Sequence, residues 1–407
     1  MSAGRDDDAL LTSVERAVTQ VFADLCRPVQ RNLAVVAVAF VRLISAARPG
    51  HGRLSLAALF RVLPTSGTAH AREKRLHRFL ANPRLDPRGV TTGLAQVVFG
   101  RRGEGYWPLV LDQTKSGATQ ALLAGVPFEG RTLPLAVYTF DYPWQEATAP
   151  SQNHLEHVFL LDVEGALPPR VHGVWIADRG YARAALLREA LREERFYVIR
   201  GRAGTCVDYN GHRVKLHELP PGQARAIRYT GVQYQAHQRV PVDVVAIHDP
   251  AFEEPWWLLV PPDSAAVLPT DVVVRLYRER MQIEHTFRDF KTHLGLRGLQ
   301  LRVRIAERTG RLLLAFCLAY TLAVILGSSP AALDARPHLE IPRRTPRHGT
   351  CRTLSALSLA MQMLAHPHWW RRARAQLLRL VARLARGQPS LAHPPADLAR
   401  RLARQSP

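Results

Sequence analysis

Two apolar runs of strand length, "PLVLD" closing on Asp112 and "VWIAD" closing on Asp178, constrain this chain more than any other feature. A strand buried on both faces has no reason to finish on a carboxylate unless that end opens on a site. The first run belongs to "YWPLVLDQT" (106–114); a second strand, "TLPLAVYTFDY" (132–142), follows a Gly-containing turn region. "VHGVWIADRGYARAALLREALREERFYVIRGR" then reads strand, turn, helix, strand. Strands alternating with helices imply a mixed α/β core. With strands 106–112 and 172–178 as neighbours, Asp112 and Asp178 would emerge side by side. Taken singly, an Asp after an apolar run is usually a turn residue, so the pair needs a third group to mean more.

That group lies in "YRERMQIEHTFRDFK" (277–291), where Tyr277, Arg280, Glu284 and Lys291 stand at offsets 0, 3, 7 and 14. At ~100° per residue all four point within about 60° of one another, a polar stripe some four turns long. Ile283, Phe287, Phe290 and Leu294 form an apolar stripe beside it. Such a helix can lean on a core and offer a hydroxyl, a guanidinium, a carboxylate and an ammonium to one groove. Packed on the sheet, it brings Glu284 opposite the two aspartates. Three clustered carboxylates repel in a low-dielectric cleft, and divalent cations resolve that repulsion. Oxygen ligands favour magnesium or manganese, and two such ions suit an in-line phosphoryl displacement. The plain alternative is a solvated ladder of surface salt bridges.

The formal charge of +21 and pI near 10.9 point to a polyanionic partner, nucleic acid or an anionic membrane surface. All but four of the 55 basic residues are arginine, the exceptions being Lys74, Lys115, Lys215 and Lys291. At 47% hydrophobic and 22% charged, the chain has ample material for a core and is not disordered. Cys26, Cys206, Cys317 and Cys351 are widely spaced without a CxxC, which excludes a zinc or disulfide framework and fits a reducing cytoplasm. The acidic, polar N-terminus does not read as a signal peptide. "LLLAFCLAYTLAVILG" (312–327) approaches the ~17-residue limit of a spanning helix and reads as a buried core helix.

Along the chain, residues 1–95 read as helical, with Ser13 as a cap for a helix beginning near Val14 and Leu76, Phe79 and Leu80 turned inward. Residues 96–200 and 271–330 carry the α/β core. Residues 201–270 read as a β-rich insertion with a hairpin at Asn210-Gly211. The polar stretch "QEATAPSQNHLEHVFLLD" reads as another helix or a lid. Thr270 or Asp271 would cap the signature helix and Gly295 would end it. The 331–407 region is Pro- and Arg-rich and then basic and helical, with Trp369 and Trp370 heading its amphipathic helix.

The spacing Tyr277-(2)-Arg280-(3)-Glu284-(6)-Lys291, after "LVLDQTKSG" and "WIADRGY", resembles the signature of bacterial DDE transposases of the insertion-sequence-four type. The resemblance covers roughly residues 70–330. It implies an RNase H-like, retroviral-integrase-like catalytic core with a β-rich insertion between the second aspartate and the glutamate. It also implies Asp112, Asp178 and Glu284 as catalytic residues and ligands of two Mg2+ or Mn2+ ions. Tyr277, Arg280 and Lys291 would then contact phosphates near the cleaved end, with Lys115 as a weaker phosphate candidate. Trp256 or Trp257 would stack an extruded base during hairpin formation, though "PWWLLV" reads more readily as a strand with core aromatics.

The implied activity is cut-and-paste transposition: metal-dependent cleavage at terminal inverted repeats, then strand transfer into target DNA. The implied partners are transposon-end and target DNA and a second copy in a homodimer, with no membrane, in a bacterial cytoplasm at the nucleoid. The N-terminal helices would read the ends. The C-terminal helix would assist dimerisation or bind flanking DNA, or present an ordinary oligomer or membrane-surface face. The alternatives are a non-catalytic, transposase-derived DNA-binding protein and a structure-selective nuclease on the same fold.

Overall fold

The structure is a computed structural model and describes residues 2–46, 55–100, 103–116, 119–142, 151–250, 252–293, 305–346 and 351–389. The N-terminal helices are α1 (Ser2–Val21), α2 (Arg27–Ala46), α3 (Leu56–Arg61), α4 (Ala69–Ala81) and α5 (Thr91–Phe99). Strands β1 (Glu104–Ser116), β2 (Thr119–Phe128) and β3 (Arg131–Asp141) follow, then α6 (Gln152–Ala166), β4 (Arg170–Ala177), α7 (Ala184–Arg192) and β5 (Phe196–Arg200). Next come β6 (Cys206–Tyr209), β7 (His212–Lys215), β8 (Ile227–Tyr234), β9 (Val240–Ile247) and β10 (Trp256–Val260). The remaining helices are α8 (Thr270–Glu279), α9 (Met281–Arg288), α10 (Ala306–Gly327), α11 (Pro330–Leu339), α12 (Ala356–Ala365) and α13 (Trp370–Ala385).

Among the described residues the strands form one ten-stranded sheet in the order β3-β2-β1-β4-β5-β10-β9-β8-β6-β7. β1 to β3 form an antiparallel meander, whereas β4 runs parallel to β1 and β5 parallel to β4. The chain between β5 and α8 does not form a sheet of its own: β10 pairs antiparallel with β5 and carries β9, β8, β6 and β7 outward. The hairpin at Asn210-Gly211 is present, with φ of 50° and 80°, the left-handed pair that a two-residue β6–β7 turn requires.

Alternation along β3 sets the layers. The Tyr138 hydroxyl bonds Asp162 of α6 on one face, while Thr139 Oγ1 donates to the Ala306 carbonyl at the start of α10 on the other, at 2.7 Å. α10 is apolar all round because β3, α2, α4, α12 and α13 surround it. Among the described residues two helices, Arg27–Ser45 and Ala306–Gly327, are long and apolar enough to cross a membrane; 67% and 89% of their apolar windows are buried inside the protein. Arg311, buried near the start of α10, is satisfied by the main-chain carbonyls of Leu85 and Leu80, at 2.9 and 2.8 Å. The four cysteines are free.

Several local expectations fail for tertiary reasons. Ser13 caps nothing; it lies inside α1, whose buried stripe of Leu10, Val14, Ala17, Val18 and Val21 packs on α2 and α13 across it. Packing of an apolar face outweighs a capping preference. The "turn region" after Asp112 is the strand β2, "TQALLAGVPF", whose Gly125 and Pro127 mimic a turn. Gly125 sits at a register shift and Pro127 close to the β2–β3 turn, where a missing ladder donor is tolerated. The signature helix starts at Thr270 after Pro269, with no side-chain cap from Thr270 or Asp271. It breaks at Arg280 and passes from α9 into a π-helical turn over Asp289–His293. Leu294 and Gly295 lie outside the described residues, as does the start of the "QEATAPSQNH" stretch, whose remainder is α6. The α12 segment "ALSLAMQMLA" adds a helix within the tail. α13 turns its apolar face, Ala373, Leu377, Leu380, Val381 and Leu384, inward, and Trp369 is buried. That face and Trp369 are therefore occupied within the chain rather than free for a partner or a membrane.

Candidate active site

The parallel register of β1 and β4 pairs Leu111 with Ala177, which puts Asp112 and Asp178 next to one another across the two strands. β1 continues past Asp112 to Ser116, whereas β4 ends at Ala177. Asp178 therefore lies in the turn, where its Oδ1 accepts the Gly180 N–H at 2.8 Å. A Cβ on residue 180 would stand 2.9 Å from that same oxygen, so the tight turn is open to glycine. Asp112 Oδ1 accepts the Gln113 N–H at 2.7 Å, and its Oδ2 faces Arg280 Nη1 at 3.4 Å.

α9 packs on β1, β2 and β3 and supplies the third carboxylate. Its apolar stripe behaves as the periodicity requires: Ile283, Phe287 and Phe290 are buried. Its height on the sheet is set by polar pins. Thr132 N–H donates to Thr286 Oγ1 at 2.8 Å, and buried Asp289 is paired with Arg131 and bonded by the Tyr320 hydroxyl at 3.0 Å. Glu284 then projects beside Arg280, which bonds it through Nη2 while reaching Asp112 through Nη1. One guanidinium thus bridges the carboxylates of β1 and α9.

Burial raises the Asp112 carboxyl to a pKa of about 6; the Gln113 N–H and Arg280 oppose the shift, and the charges of Asp178 and Glu284 add to it. The shift is therefore chiefly the cost of burying the anion, which Arg280 and the Gln113 N–H only partly offset. Among the described residues no three His, Cys, Asp or Glu side chains are placed closely enough to share a metal. The cation lying between Asp112 and Glu284 is Arg280, whose buried Nε has no hydrogen-bond partner.

The structure separates the remaining expected residues. Tyr277 is buried, its ring 4.9 Å from Trp256 and 5.9 Å from the Arg280 guanidinium, so it supports the arginine from below. Lys291 lies in the π-helical turn with its Nζ 5.9 Å from the Phe287 ring. Lys115 is exposed, but three residues along a strand from Asp112 it projects from the opposite face. That odd offset makes it a poor partner for a phosphate at Asp112. Trp256 and Trp257 are enclosed as well. The first packs on Phe252 and Tyr277, and the second donates from Nε1 to the Leu219 carbonyl at 2.9 Å. Neither ring is the exposed platform that base stacking needs; both complete the core where β10 joins β5.

One residue beside the carboxylates had not been singled out. Tyr181 is buried, its hydroxyl has no hydrogen-bond partner, and burial together with the charges of Asp112 and Asp178 pushes its pKa well up. Its signal was its place in "ADRGY", one residue past the glycine that holds Asp178.

Residues 144–322 match the family model of the transposase DDE domain. The matched stretch contains Asp178 and Glu284 and begins after β3, so Asp112 joins them through the β1–β4 register alone. The mixed α/β fold is RNase H-like, and the match supports a DDE transposase, an enzyme of the endonuclease type that acts on DNA ends. No curated protein matches the chain.

Proposed function

We propose that the protein is a cut-and-paste transposase of the insertion-sequence-four type, which cleaves DNA at the terminal inverted repeats of its element and transfers the freed 3′ ends into target DNA. The observation that carries this reading is the parallel β1–β4 register, which brings Asp112 beside Asp178, with Glu284 tied to Asp112 through Arg280. The donor set suits hard divalent cations. It is all carboxylate oxygen, burial raises the pKa of its most buried member, and it has already drawn in a guanidinium. Asp112, Asp178 and Glu284 would hold one or two Mg2+ or Mn2+ ions, which would supply the charge that activates a water or 3′-hydroxyl and stabilises the leaving oxygen.

The chain's own groups divide the remaining work. Arg280, released from the carboxylates, offers its forked donors to a phosphate, and Tyr277 holds its stem in place. Lys291, about two turns beyond Glu284 in the π-helical segment, supplies a point charge along the same strand of DNA. Residues 1–95 carry end recognition, with Lys74 and Arg78 exposed on α4, and residues 331–407 flank the core. Two copies act together on two ends.

The test uses a supercoiled plasmid bearing the element's own ends, with magnesium. Wild-type protein is expected to cleave at the ends and join them to a second plasmid, and Glu284→Gln to bind the ends without cleaving. Retained cleavage by Glu284→Gln would remove that residue from the site. Cleavage without dependence on the repeats and without joining would make the protein a nuclease.

A further inference from the structure

We infer that a second groove, separated from the carboxylates by α9, grips the sugar–phosphate backbone of duplex DNA outside the cleavage site; this rests on the transposase reading above. The groove is a cleft of about 1250 Å³ between the β2–β3 turn, α9, α11, Arg343, residues 352–355 and α13. Glu279 at the end of α8 and Gln282, His285 and Arg288 of α9 line one wall. These recur every third residue, a row that at ~100° per residue winds from Arg288, ~40° from Glu284, around to the far side of the helix. Glu284 faces the aspartates, and the row behind it faces the cleft. α9 is the partition between two grooves.

The cleft carries a charge excess that the carboxylate site does not. Seven arginines line it, against Glu129 and Glu279. Arg131, Arg336 and Arg352 are matched by Asp289, Glu340 and Glu129. Arg288, Arg343, Arg379 and Arg383 are exposed and have no carboxylate partner among the described residues. Two of them are steadied by main-chain oxygens: Arg343 donates to the Arg352 carbonyl at 2.7 Å and Arg383 to the Pro389 carbonyl at 2.8 Å. Arg379 and Arg383 lie on one side of α13, separated by a rise of about 6 Å. A DNA strand presents a phosphate every ~3.4 Å along the axis, so a row at that separation meets alternate phosphates. Guanidiniums held at the rim of an open cleft, facing solvent without counter-charge, suit a continuous polyanion better than one small anion. Contacts of this kind position a duplex without reading its sequence.

The duplex has two possible sources, the flank attached to the cleaved end and the target that receives it. Both present the same backbone, and the test separates them. Binding of the full-length protein is measured across a salt series on random-sequence duplex and on duplex carrying one terminal repeat with its flank. The variants are the triple Arg343→Ala, Arg379→Ala, Arg383→Ala and the corresponding triple lysine variant. Each lost phosphate contact removes ~0.9 from the slope of log affinity against log salt. The alanine triple is therefore expected to show a slope shallower by about 2 to 3 on at least one duplex, and the lysine triple, a control for folding, to keep the wild-type slope. Loss on random duplex places target DNA in the cleft; loss only on the end-bearing duplex places the flank there. An unchanged slope on both duplexes overturns the inference, and it does so too when these arginines prove to hold an acidic protein. Cleavage of the plasmid ends by wild-type protein is scored separately, so a failed cleft leaves the transposase reading standing and a failed cleavage assay does not depend on the cleft.

Discussion

The two sides of α9 treat charge in opposite ways. On the sheet side, Asp112, Arg280 and the pinning pair Asp289–Arg131 are wholly or largely enclosed, Glu284 is half-exposed, and nearly every charge has a partner within reach. On the cleft side, exposed arginines outnumber acids and several have none to pair with. The difference follows from solvation. A charge withdrawn from water must be matched or its pKa moves, whereas a charge at the surface is screened and can be kept in surplus for a partner. One helix thus separates a place where charge is spent on geometry from a place where it is held available.

The strongest way to break the comparison is to remove a carboxylate from the enclosed side. Asp178→Asn is expected to lower end cleavage by at least about 10²-fold while leaving end binding in place, as measured on the plasmid substrate. Loss of both together would mean that the enclosed side is structural. Next in size is the pin: Asp289→Ala leaves Arg131 buried without its partner and should cost about 3–5 kcal/mol, read as a fall in Cm for urea unfolding. An effect within about 0.5 kcal/mol would show that α9 is held by its apolar stripe alone.

Asp112 sharpens the contrast through pH. Its folded-state pKa, about 6, lies above the ordinary 3.8, so the folded protein binds the proton more tightly than the unfolded chain. Below about pH 4 both states are protonated and the group is neutral for stability; as pH rises through 6 the folded state must carry the buried anion and loses stability. Asp112→Asn should therefore stabilise the metal-free protein by about 3 kcal/mol at pH 7, with the gain gone near pH 4. A gain independent of pH would sink this account. The smallest effect concerns the aromatic strand. Trp257→Phe removes the bond to the Leu219 carbonyl and should cost about 1 kcal/mol of stability, as a core tryptophan would.

How much of this was legible beforehand differs by element. The helix signature was readable because periodicity survives in one dimension: Ile283, Phe287 and Phe290 had to face one way and Arg280 and Glu284 another. The strands ending at Asp112 and Asp178 were readable from their apolar runs, and the Asn210-Gly211 turn from its backbone demand. β2 was hidden because its glycine and proline are tolerated only through its two neighbours. Tyr277 gave the opposite error, since an aromatic on a polar stripe shows its burial only once its neighbours are in place, whereas the tryptophans follow the reading of "PWWLLV" as a strand with core aromatics.

What the order of residues determined alone was composition of charge, the apolar strands with their terminal carboxylates, and a helix able to show two faces. Pairing in three dimensions decided the rest. The β1–β4 register set the aspartates side by side, the Asp289–Arg131 pin set the level of α9, and the placing of α13 and the β2–β3 turn around one cleft gathered arginines from distant stretches. Local patterns reach only a few residues along the chain, whereas each of these arrangements depends on contacts between segments far apart in it.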